Sequence, residues 1–230
     1  MSQKINSSLK IDRLFVCVKE GTKAISILKH FGLYCPDTII TSKTEGTRSQ
    51  IFFLENMYLA IVWLDNETLQ SPTAINFSAR VNWRDNRTSP FGIGLSRKQD
   101  SSPLEINDYP VEDLAIDNYI AYSKQNQKNA IEPLVFLLPD LLKYSNILDP
   151  ELPQNQKYFQ HSLKVKNITD IKISIQTGKR RDSKIIDWIK QEQLLYTTRA
   201  SEPLMELTFD RGIRGKIFDA RPTLPMIFRY

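Results

Sequence analysis

An approximate internal repeat constrains this 230-residue chain more than any single motif. Residues 11–18 form a β-rich run, and residues 22–31 place Ala24, Ile27, Leu28 and Phe31 on one helical face before Gly32 ends the helix. Three further strand-like runs follow at 51–54, 58–64 and 91–95, so the order is β-α-β-β-β. Near the C-terminus, residues 168–175 alternate with strand period, and 182–195 carry Ile185, Ile186 and Ile189 as a helix. Short strands at 204–209, 215–218 and 226–228 complete a second β-α-β-β-β set. Between the two sets, residues 98–160 hold two more strand-like stretches, at 115–123 and 131–138, and read as a structured insertion. The predicted divisions are therefore 1–97 for the first module, 98–160 for the insertion and 161–230 for the second module. An irregular helix is also expected within residues 66–83.

Composition narrows the functional classes. With 41% hydrophobic residues, 8 Gly and 12 Pro, the chain is neither disordered nor of low complexity. The 31 Lys and Arg against 26 Asp and Glu give a net charge of +5, mild and spread along the chain, which argues against a nucleic-acid surface. The dense cluster Lys179-Arg180-Arg181 follows Gly178 and reads as a solvated turn. Two cysteines are too few for a disulfide framework, and no apolar run approaches the ~20 residues a membrane helix needs. These features predict a soluble, cytoplasmic monomer or homodimer with no membrane or nucleic-acid partner. No Gly-x-Ser-x-Gly elbow and no Gly-rich phosphate loop is present, which disfavours serine hydrolase and nucleotide-dependent chemistry.

The stretches Ile11-Asp12-Arg13-Leu14-Phe15-Val16, Phe31-Gly32-Leu33, Gly46-Thr47, Phe52-Phe53-Leu54-Glu55-Asn56-Met57-Tyr58-Leu59, Ser89-Pro90-Phe91-Gly92-Ile93 and Arg221-Pro222-Thr223-Leu224-Pro225 run in an order that resembles one family. It is the glyoxalase-like branch of the vicinal oxygen chelate superfamily. The resemblance implies an α+β fold of two β-α-β-β-β modules forming a cupped mixed sheet, with the strand-containing insertion between them. It does not fix a reaction, because that scaffold hosts lyases, isomerases, dioxygenases and ligand-sequestering proteins.

In metal-using relatives the ligands come from the first strand and a later strand of each module. Here Arg13 stands where a His is common and Ala60 where a Glu is common, and neither can coordinate a cation. Internal alignment of the predicted modules puts Asp170 opposite Arg13 and Glu206 opposite Ala60. A set of Arg, Ala, Asp and Glu is inadequate for zinc or iron. No metal and no cofactor is therefore expected.

Arg13 then becomes the leading candidate. It either pairs with Asp170 or Glu206 across the cup or binds a ligand carboxylate or phosphate bidentately. Glu206 and Asp170 are the candidate catalytic carboxylates, with a structural ion pair as the alternative for each. Tyr58 shares a strand face with Ala60, whereas Trp63 faces away and is expected beneath the helices. Arg48 either gates the cup mouth or is a solvated loop residue, and Cys17 reads as a buried thiol. The leading functional expectation is a protein holding a small anionic or carbonyl-containing molecule in the cup, either binding it only or adding metal-independent lyase or isomerase chemistry. The alternatives are a metal-dependent lyase or dioxygenase using Asp170 and Glu206, and a non-catalytic interaction module.

Overall fold

The first strand, β1 (Leu9–Cys17), sends Leu14 and Val16 to one face and Arg13, Phe15 and Cys17 to the other. The computed structural model describes residues 8–65, 75–98, 114–117, 120–178 and 181–230, and in it β1 lies at the centre of a large mixed sheet. The chain leaves β1 through helix α1 (Gly21–Phe31), which buries Ala24, Ile25, Leu28 and Phe31. Gly32 ends this helix at φ 107°, a conformation open to glycine and costly for residues with a Cβ. Strands β2 (Ile40–Ser42), β3 (Thr47–Phe53) and β4 (Tyr58–Leu64) follow, and β4 returns parallel to β1. Gly21 lies so close beneath Trp63 that an added Cβ would sit 2.3 Å from the ring, so this tryptophan packs under α1 as its parity predicts.

Two short helices, α2 (Phe77–Val81) and α3 (Trp83–Asn86), lead to β5 (Phe91–Arg97), antiparallel to β1. Strands β6 (Leu114–Asp117) and β7 (Ile120–Ser123), helix α4 (Lys124–Lys128) and β8 (Leu134–Leu137) complete the sheet in the order β2-β3-β4-β1-β5-β8-β7-β6. Outward from the β1–β5 pair, each half repeats one pattern: a parallel neighbour, then two antiparallel strands. The predicted α+β class and cupped mixed sheet are present, but the strands that complete the sheet come from the segment read as an insertion. Residues 168–230 instead build a second sheet. Periodicity identifies a strand without naming its partner, although the unbroken apolar run of β8, buried throughout, is the pattern of a strand covered on both faces.

The second sheet follows a short helix, α5 (Tyr144–Ile147). Strand β9 (Ile168–Gln176), helix α6 (Lys184–Gln191), β10 (Tyr196–Ala200), β11 (Leu204–Phe209), β12 (Ile217–Asp219) and β13 (Met226–Arg229) pair in the order β10-β9-β11-β13-β12. Its inner face, including Ile171, Ile173, Met205, Leu207, Met226 and Phe228, shares one continuous core with Leu14 and Val16 of β1 and with both long helices. Phe31 of α1 stacks on Phe218 at 4.4 Å between ring centres. A buried carboxylate ties the layers together: Glu132, before β8, accepts hydrogen bonds from the Ser183 N–H at 2.7 Å and the Ser183 hydroxyl at 2.6 Å, at the start of α6. A negative charge at a helix N-terminus is favourably placed. Among the described residues, no helix is long and apolar enough to cross a membrane. Residues 66–74 of the predicted irregular helix, residues 99–113 and 118–119 of the predicted insertion and Lys179-Arg180 lie outside the described residues.

His161 pins the two ends of the first half. Its Nδ1 accepts from the Tyr34 backbone N–H at 2.9 Å, and its Nε2 donates to the Phe53 carbonyl at 2.9 Å. The contact at Nδ1 requires the neutral ring, and burial lowers the imidazole pKa below its usual value. The unfolded chain then binds a proton near pH 6.5 that the folded chain refuses, so stability is lost as pH falls through that region. Denaturant midpoints should therefore drop between pH 7.5 and 5.5, and His161→Gln should flatten that drop while lowering stability at pH 7.5. An equal pH response in both proteins would refute the assignment.

Candidate functional site

The concave face of the large sheet is built from alternate residues of its central strands. Arg13, Phe15 and Cys17 of β1 lie beside Tyr58, Ala60 and Val62 of β4. On the other side, Arg13 and Phe15 face Gly94 and Gly92 of β5. A Cβ built on Gly92 would fall 2.0 Å from the Phe15 ring, and one on Gly94 would fall 2.5 Å from Arg13 Cγ. The side chains of β1 thus lie across a strand that has none of its own there. Beyond β5, Leu134 and Phe136 of β8 and Tyr122 of β7 continue the surface, and Ile75 and Phe77 next to and within α2 close over it.

These residues line a partly open cavity of about 200 Å³. It is elongated along the strands: Arg13 is at the level of Tyr58, Phe15 pairs with Ala60, Ser49 is level with Val62, and Thr47 lines the end beyond it. Glu45 and Ser42 line the same end. One end is cationic, the middle aromatic, and the other end carries hydroxyls.

Arg13 is held from behind. Its Nε donates to Asp12 Oδ1 at 2.9 Å, its Nη2 donates to the Leu142 carbonyl, and its guanidinium carbon lies 4.8 Å from the centre of the Tyr58 ring. Asp12 is itself 1% exposed and accepts the Tyr144 N–H at 2.8 Å through its second oxygen. Tyr58 is a further side-chain hydrogen-bond partner of Arg13, so the cavity meets the guanidinium beside the Tyr58 ring. Burial pushes the Tyr58 hydroxyl up to about 12 against the opposing effect of Arg13, and pushes the Cys17 thiol up to about 12. Both are therefore protonated at neutral pH, Tyr58 as a donor and Cys17 as an inert thiol.

The sequence-predicted residues separate into two groups. Arg13 and Tyr58 line the cavity. Arg48 alternates to the opposite face of β3 from Thr47 and Ser49, and its Nε pairs with Asp65 at 3.1 Å. Asp170 and Glu206 lie in the second sheet, on β9 and β11, and do not meet Arg13. Asp170 is exposed, and Glu206 bridges Lys172 at 2.9 Å and Arg229 at 2.7 Å. Arg229, then Lys172, hold the Glu206 carboxyl below its ordinary range, the opposite of the shift a general base needs. The expected Arg13 contact with Asp170 or Glu206 is thus replaced by a contact with Asp12. Strict alternation sends Asp12 to the face opposite Arg13. A register shift between Ile11 and Arg13 against β5 makes Asp12 the extra residue of a bulge, and the two side chains meet. Nothing in the hydrophobic pattern marks that bulge.

The resemblance implies metal ligands at this face in some relatives. The positions the resemblance assigns are Arg13 and Ala60 in this sheet, neither with a lone pair for a cation, and Asp170 and Glu206 in the other sheet, so the four do not converge on one site. Among the described residues, no group of three or more His, Cys, Asp or Glu is placed to hold a metal ion. The residues do not fit the metal.

No family model and no curated protein sequence matches the chain. Among solved structures, a hypothetical protein from Staphylococcus aureus is similar over 96% of this chain and 98% of that chain, at 12% identity and a TM-score of 0.50, a likeness of fold. Methylmalonyl-CoA epimerase from Mycobacterium tuberculosis aligns over 59% of this chain and 93% of its own, at 11% identity and a TM-score of 0.37. The Streptomyces coelicolor epimerase in complex with 2-nitronate-propionyl-CoA aligns over 57% of this chain and 96% of its own, at 13% identity and a TM-score of 0.37.

Double-mutant cycles separate the two pairings of Arg13. Asp12→Ala alone should cost about 3 to 5 kcal/mol, because a buried guanidinium edge and the Tyr144 N–H lose their acceptor. The pair Arg13→Ala with Asp12→Ala should cost less than the sum of its singles, while Arg13→Ala with Glu206→Ala should be additive within about 0.5 kcal/mol. Coupling in the second cycle would contradict the observed geometry.

Proposed function

We propose that this chain is a glyoxalase-like protein whose cup binds a small organic monoanion without a metal, anchored by Arg13. The observation that carries the reading is a mostly buried arginine lining a partly open cavity, its Nε and Nη2 fixed by Asp12 and Leu142. A guanidinium held in place loses less freedom on gripping a carboxylate. Asp12 offsets the arginine charge, and Glu45 adds a carboxylate at the far end, so a second negative charge on the ligand is unfavourable. Binding, rather than turnover, suits the side chains present. Tyr58 and Cys17 are protonated, and Glu45 is the carboxylate that lines the cavity.

The test is titration calorimetry with small carboxylates, acetate, pyruvate and benzoate among them. At least one should bind saturably, and Arg13→Gln should weaken it tenfold or more. Because Arg13→Gln leaves Asp12 without its cation, the double variant Arg13→Gln with Asp12→Asn should fold and also fail to bind. A protein that binds none of them, or binds equally well in the double variant, would overturn the reading.

A further inference from the structure

We infer that the cup selects a single-ring aromatic monocarboxylate, a refinement that rests on the anion-binding reading above. Four ring side chains, set among aliphatic ones, line the wall between the cationic and hydroxyl ends. Phe15 lies 6.1 Å from Phe136 with the planes 24° apart, and 6.0 Å from Phe77 at 45°. Tyr122 stands 6.1 Å from Phe136 at 40°. All four line the cavity, and Phe15 and Phe136 can approach each other because Gly92 and Gly94 have no Cβ between them.

Spacings of 4.5 to 7 Å between ring centres are those at which aromatic groups attract through edge and face, beyond the area they bury. A planar guest completes that arrangement, and a saturated ring of equal size does not. Size sets the second limit. An apolar protein cavity of about 150 Å³ admits benzene, so the 200 Å³ here matches one ring with a small substituent, and a second fused ring would extend out through the open side of the cup. Charge sets the third. Arg13 offers a single cationic anchor for a carboxylate, while Asp12 and Glu45 disfavour a dianion.

The experiment is a calorimetric comparison on the intact chain of benzoate, cyclohexanecarboxylate, 1-naphthoate and phthalate. Benzoate should bind at least tenfold more tightly than each of the other three. Cyclohexanecarboxylate binding as tightly as benzoate would overturn the aromatic assignment while leaving the anion reading intact, and equal binding of 1-naphthoate or phthalate would overturn the size or charge limit. No carboxylate binding at all would overturn both. Phe136→Leu, checked for cooperative unfolding, should bring the benzoate to cyclohexanecarboxylate ratio close to one. An unchanged ratio would remove the ring wall from the explanation.

Discussion

The shape of the cup depends on two absent side chains. Glycine weakens a strand, because the unfolded chain gives up more freedom there and nothing is gained in packing. At positions 92 and 94 that weakness has a geometric use. Any Cβ would strike the Phe15 ring or the Arg13 stem, so both must lie flat across β5, and their lie opens the space above them. Arg13 could not then reach Leu142, nor Phe15 approach Phe136, if β5 carried ordinary residues. The positions of the cation and of the ring wall follow from this one local feature.

The second dependency is electrostatic. A mostly buried arginine loses hydration that only specific partners restore, and Asp12, almost wholly buried, is in the same position. Each satisfies the other, and the backbone of residues 142–144 satisfies what remains on that side. The segment that crosses this end of the cup is therefore held by the pair that orients the cation. On the convex side the second sheet and the helices cover the apolar face of β1, β4, β5 and β8 in one core. The concave side carries a second, smaller apolar cluster around the cavity.

Much of the fold was legible in the sequence because it is written locally. The alternation in β9 and β11, the helical spacing in α1 with its glycine stop, and the unbroken apolar run of β8 each mark their own element. Which strands are neighbours is decided by contacts far apart in the chain, and there periodicity has little to say. That is how residues 168–230, built from strands and a helix in a similar order, read as the partner of the first module while β5 to β8 complete its sheet. The same limit governs the site. Parity along regular strands sends Arg13 and Tyr58 to one face, as observed, whereas one extra residue at a bulge brings Asp12 to Arg13. Asp170 and Glu206 became candidates through an alignment of modules, and hydrogen bonding puts them in another sheet, where Glu206 is engaged by Lys172 and Arg229.

The most direct test of the account is the position of an anion in the cup. Crystals soaked in 4-bromobenzoate should show the carboxylate at the Arg13 guanidinium and a bromine anomalous peak beyond Phe15, toward Ser49. An anomalous peak only outside the cup, or a cup whose density shows Arg13 turned onto the convex face, would contradict it.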